Sequence, residues 1–223
     1  TPEELQIEQG LARAIARALV ADSRARWKVD ADGALPSFDP IIGAGAILTE
    51  AQTPGASAML LLDALQPEGV TELQIDRSNL LSAAGVIAYL KPLITVQILE
   101  TGGLLPLGTA FCASGQTRYG RAAMQVQIQP ESGPVINHTV RSGELWLAPV
   151  PPGVTARVTV RMRSGLTLGG KRRIRQHVVA GAAGIIFDAR GRPLPTLRPR
   201  DRAARLKQWL AAVSAPDALS VSA

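Results

Sequence analysis

At 223 residues the chain is long enough for one large domain or two modest ones, with a sizeable core in either case. Hydrophobic residues make up 46% and charged residues 19%, a balance that excludes a disordered chain, and with aromatics at 4% the core has to be built from Ala, Val, Ile and Leu. The net charge of +6 is uneven: residues 157–207 hold 14 basic and two acidic residues, against ten basic and 16 acidic elsewhere.

A strongly basic C-terminal third on a mildly acidic body attracts a polyanion or an acidic protein face, or else is a solvated face of a β domain. The single cysteine, Cys112, excludes an intramolecular disulfide framework and fits a reducing compartment, so a cytoplasmic location is expected. Its flanks, Ala110, Phe111 and Ala113, mark it as a small buried hydrophobe. No apolar run approaches the roughly 18 residues needed to cross a bilayer. The opening TPEELQIEQG is acidic where a signal peptide would be basic. The chain starts at Thr1 without a methionine and reads as a piece of something longer.

In chain order, TPEE has the form of a helix start, with Thr1 as cap, Pro2 in the first turn and Glu4 completing a capping box. Leu11, Ile15 and Leu19 recur at intervals of four, which predicts a helix over 2–25. Residues 30–36 are a loop, and Ile41-Ile42 a short buried strand. Residues 56–65 are apolar on nearly every side and predict a buried helix ended by Pro67 and Gly69. VTELQID (70–76) alternates as a strand does, and Ser78 is placed to cap a helix reaching Tyr89, stopped by Lys91-Pro92. Beyond Pro92, ITVQIL, GTAFCA, AAMQVQI, VINHTV, ELWLA, TARVTVRM, IRQHVVA and GIIFDA read as short strands spaced as in a sandwich or barrel. TARVTVRMR puts Val158, Val160 and Met162 on one face and Arg157, Thr159, Arg161 and Arg163 on the other. DARGRPL (188–194) is a tight turn in which Asp188 pairs with Arg190 or caps the turn. A closing helix with Leu206, Trp209, Leu210 and Val213 on its apolar face precedes a frayed tail.

Familiar chemistries find little support. His138 and His177 lie within strand-like alternation, without Cys or carboxylate at ligand spacing. There is no G-x-S-x-G elbow, and GLTLGGKRR lacks the spacing and the Ser or Thr of a Walker loop. The basic run GGKRRIRQH has no aromatic residue between Gly165 and Ala182 to stack bases, so nucleic acid is disfavoured. Gly43 and Gly45 in FDPIIGAGAIL follow a strand, but a dinucleotide fingerprint wants a third glycine where Leu48 stands.

The larger pattern is more specific. FDPIIGAGAIL, TPGASAMLLLDALQPEGVTELQIDRSNLLSAAGVIA, LLPLGT and GAAGIIFDARGRPLP followed by RAARLKQWL together resemble the C-terminal part of the MutL family. These are the accessory proteins of glutamate (methylaspartate) mutase, within the actin-like ATPase superfamily. The resemblance implies that Gly43, Ala44 and Gly45, with Asp76 and Arg77 at the next strand–helix junction, line the adenosine side of a nucleotide cleft. The family's Asp-x-Gly-Ser/Thr phosphate-binding hairpin does not occur in these residues. The resemblance therefore implies a protein that is catalytically incomplete alone, with no tightly bound cofactor and with ATP or ADP held only by the longer protein.

The expected fold class is α/β plus all-β: a partial actin-like lobe (1–92), a β-rich domain of sandwich or barrel kind (93–195), and a closing helix and tail (196–223). The implied partners are a B12-dependent mutase, a missing N-terminal lobe and further copies of the chain, with no membrane. Lys171, Arg172, Arg173 and Arg175 are the candidate partner-binding residues. The competing reading, from a different class, is a non-enzymatic scaffold that uses its basic β face to hold an acidic protein or nucleic acid.

Overall fold

The computed structural model describes residues 2–23, 38–100, 102–163 and 165–214. The expected cap at Thr1, the loop over 30–36 and the tail lie outside the described residues. The chain is a mixed α/β structure with six helices and two sheets among those residues.

Helix α1 (Pro2–Ser23) leads to strand β1 (Ile41–Ala44), a single turn α2 (Ala46–Thr49) and helix α3 (Pro54–Leu65). Thr53 caps α3 by accepting from the Ala56 amide, with Pro54 in the first turn, and Gln66 ends it in the left-handed conformation. Strand β2 (Gly69–Asp76) returns parallel to β1, Ile41 facing Leu73, so β1, α3 and β2 form a supersecondary unit of strand, helix and parallel strand.

Helices α4 (Leu80–Leu90) and α5 (Pro92–Glu100) form a hairpin. Here two expectations fail. ITVQIL is helical, because Pro92 opens α5 at the position where a missing N–H costs nothing, and a short apolar run carries no clear period. Ser78 does not cap α4. The Asp76 carboxylate does, accepting from the amides of Leu80 and Leu81 at 2.8 and 2.9 Å.

Strands β3 (Leu105–Cys112), β4 (Ala122–Pro130), β5 (Ile136–Arg141), β6 (Leu145–Ala148), β7 (Thr155–Met162), β8 (Arg173–Val179) and β9 (Ile185–Asp188) precede helix α6 (Pro199–Val213). They divide between a five-stranded mixed sheet, β1-β2-β3-β9-β6, and a four-stranded antiparallel sheet, β5-β4-β7-β8. The larger sheet takes strands from both sides of residue 92, so the expected segments 1–92 and 93–195 share it.

Two cores result. One lies between the sheets, where Phe111, Ile185 and Phe187 meet Val126, Ile128, Val158 and Val160. The other lies between the larger sheet and helices α3 and α6, where Leu62, Leu73, Ile75 and Ile186 meet Trp209 and Val213. Each fully buried large side chain contributes ~2 kcal/mol through the area it removes from water. An aromatic stack ties the sheets together at one end: His138 on Trp146 at 4.0 Å, Trp146 on Phe187 at 5.2 Å, and Phe187 on Phe111 at 5.0 Å.

The α1 pattern faces the wrong way for a core helix. Its side toward α3 carries buried Gln9 and half-buried Arg13, whereas Ile7, Leu11, Ile15 and Leu19 are all more than half exposed. The α4–α5 hairpin repeats this: Val86, Tyr89, Leu90 and Leu93 are each at least 70% exposed. No helix among the described residues is long and apolar enough to cross a membrane.

Candidate functional site

The glycine turn ends β1 at the carboxyl end of its parallel pairing with β2. Gly45 holds φ +101 there, a conformation an L side chain rarely adopts, and nothing lies within 4 Å of where its Cβ would project. Ala44 and Arg77 are exposed beside it. Gly43 points inward instead: a Cβ there would meet the side chains of Leu48, Leu61 and Ile75 at 2.7–3.3 Å, so this glycine serves packing. Both Asp76 oxygens are engaged by the start of α4. The Leu81 amide is the largest cause holding its carboxyl below the usual range, against the opposing effect of burial. Of the five residues expected to line a nucleotide, only Ala44, Gly45 and Arg77 are therefore open, and α2 offers a single turn of backbone behind them. By themselves these residues do not form a nucleotide seat.

A different surface gathers the charge. In β7, β-branched and Arg or Thr side chains alternate, so Val158 and Val160 enter the core while Arg157, Thr159 and Arg161 face outward. Register then builds rows across the four-stranded sheet. Arg161 lies opposite Arg173 on β8 and opposite Gln125 on β4. Thr159 lies opposite Arg175 and Gln127, and Gln127 opposite Asn137 on β5. Arg157 lies opposite His177 and Gln129, and donates to the Gln129 side chain. A shallow groove of about 520 Å³ runs over these rows, and among the described residues no Asp or Glu lines it. It has a guanidinium side on β7 and β8 and an amide side on β4 and β5.

Of the expected partner-binding residues, Arg173 and Arg175 line this groove. Lys171 and Arg172 are exposed in the turn before β8 and do not. Sequence reasoning missed Arg157 and Arg161 as members of the set, although the TARVTVRM alternation had already put them on one face. It also missed Gln125, Gln127 and Gln129, whose alternation in QVQIQ was the available signal.

The other conspicuous charges are structural. Asp188 ends β9 wholly buried and accepts from the Arg190 amide at 3.0 Å, from Arg190 Nε and Nη2 at 3.0 and 2.8 Å, and from Arg192 Nη2 at 2.7 Å. Burial alone would raise its carboxyl pKa, but Arg190 and then Arg192 hold it well below the usual carboxylate range. Arg190 Nη1 also sits 2.6 Å from Asp63 Oδ1, an ion pair that lacks hydrogen-bond geometry, and its guanidinium lies over the Trp209 ring. Arg192 Nε donates to the Pro67 carbonyl at 3.0 Å. Cys112 is fully buried beside this network, and burial pushes its thiol up to about 12, so it is not a nucleophile at neutral pH. Among the described residues no group of three His, Cys, Asp or Glu stands where it could hold a metal ion.

No protein-family model, curated protein or solved structure matches this chain.

Proposed function

We propose that this chain is a non-catalytic, partner-contacting part of an accessory protein of the MutL type, serving a B12-dependent mutase. The observation that carries this reading is the pairing of an open strand–turn edge with uncovered apolar helices. The parallel strands β1 and β2 end at Ala44-Gly45 and Asp76, while α1 and the α4–α5 hairpin turn Leu11, Ile15, Leu19, Leu90 and Leu93 to solvent. Monomeric proteins rarely leave apolar patches of this kind bare.

In this reading residues 1–92 are half of an actin-like lobe whose other wall supplies the phosphate and metal contacts. ATP or ADP is then held only when both walls are present. The β-rich part faces the mutase, and its role is to hold and release that protein, not to make or break bonds.

The test is co-elution of the chain with a B12-dependent glutamate (methylaspartate) mutase apoenzyme on size exclusion, with ATP turnover measured in parallel. The expected result is a shared peak and no magnesium-dependent turnover by the chain alone. Turnover by the isolated chain that disappears in a Gly45→Leu variant, or no shared peak, would contradict the reading.

A further inference from the structure

We propose that the outer face of the four-stranded sheet is a carboxylate-reading surface that takes an acidic protein segment, with Arg157, Arg161, Arg173 and Arg175 as its cationic side and Gln125 and Gln127 as its amide side. The inference stands on this face alone and does not require the mutase reading.

The first ground is an uncompensated charge arrangement. Arg161 and Arg173 are direct cross-strand neighbours, and like charges so placed repel at ~5 Å between their Cβ atoms. Neither forms an ion pair or a side-chain hydrogen bond among the described residues, and Arg175 is equally free. The buried arginines of the chain are paired closely, Arg190 and Arg192 with Asp188. On this face four arginines share a groove without one carboxylate among the described residues, an arrangement complementary in charge to an acidic ligand.

The second ground is the chemistry of the donors. All four cations are arginine and none is lysine. A guanidinium is weakly hydrated and presents a planar fork that matches a carboxylate at two points, and arginine is enriched in protein interfaces where lysine is depleted. The amide side adds groups that both donate and accept without charge, which suits a peptide backbone lying alongside the carboxylates.

Nucleic acid is the rival anion, and the face lacks what it would use. Single strands want aromatic platforms between the cations. The one aromatic ring among the lining residues, His138, is already stacked on Trp146.

The decisive experiment compares fluorescence anisotropy of labelled poly-L-glutamate and labelled duplex and single-stranded DNA. The proteins are the wild type, an Arg161→Lys/Arg173→Lys variant that keeps the charge but loses the forks, and an Arg200→Lys/Arg202→Lys control on exposed α6. All four positions are exposed, and circular dichroism confirms that each variant is folded. The expected result is polyglutamate binding that weakens with salt and weakens about tenfold in the sheet variant, with the α6 control unchanged. Three results would overturn the proposal. They are no polyglutamate binding, equal binding by the sheet variant and wild type, and tighter binding of either DNA than of polyglutamate.

Discussion

Arg190 is shared between Asp188, two residues before it on β9, and Asp63 on α3, while its guanidinium face rests on Trp209 of α6. One buried side chain thereby fastens β9, an inner strand of the larger sheet, to both helices that cover it. Arg13 reaches the same Asp63 from α1 at 3.4 Å. Removing one partner from a buried ion network leaves the others charged and unpaired, which costs ~3–5 kcal/mol. Asp188→Asn is therefore expected to lower the free energy of unfolding by an amount in that range, and Arg200→Ala on the exposed part of α6 to change it by less than ~0.5 kcal/mol. Equilibrium unfolding of the two variants beside the wild type checks both.

The same carboxylate sets an acid limit. The folded-state pKa of Asp188 lies below its unfolded value, so its ionisation contributes stability above the unfolded pKa of ~3.9. That stability is lost as pH falls toward the folded value. The melting temperature is expected to change little with this group above about pH 5 and to fall below about pH 4. In Asp188→Asn the overall stability is lower, and the part of the acid-induced fall due to this group disappears. Thermal melts across that range compare the two slopes.

On the outer sheet face the sign of the mutational effect reverses. Arg161 lies directly opposite Arg173, so removing one charge relieves repulsion worth ~0.2–1 kcal/mol. Arg161→Ala is expected to hold or raise the melting temperature at low salt, with the gain shrinking as salt screens the pair. A loss of stability instead would show that Arg161 is structurally engaged.

The uncovered helices carry a prediction of their own. Leu11 and Ile15 on α1, and Leu93 on α5, contribute little burial within the chain. Replacing each with Gln is expected to change stability by less than ~0.5 kcal/mol. The same changes are expected to reduce self-association in sedimentation velocity and binding of a hydrophobic dye.

What was legible in the sequence follows the range of the interaction. The β7 alternation of valine and arginine gave the correct faces, because a strand's two sides are written in adjacent residues. The buried helix α3, the pairing of Asp188 with Arg190 and the burial of Cys112 were readable for the same local reason. ITVQIL reads as a strand in sequence because a run of six mostly apolar residues satisfies either period. The capping by Asp76 was missed because the acid precedes its helix by a full turn, with Asn79 in the left-handed conformation between them. Sheet partnership was not legible at all: β3 lies between β2 and the distant β9, and the groove exists only because β4, β7 and β8 come into register. The outward stripe on α1 shows the limit most clearly, since periodicity locates an apolar face without saying what covers it.

Hydrogen–deuterium exchange on the chain, alone and mixed with the mutase apoenzyme, tests most directly whether this is a partner-holding protein. The account predicts slowed exchange across Thr155–Met162 and Arg173–Val179 in the complex, with α6 unchanged. Unaltered exchange in both strands on addition of the mutase, or protection confined to α6, would contradict it.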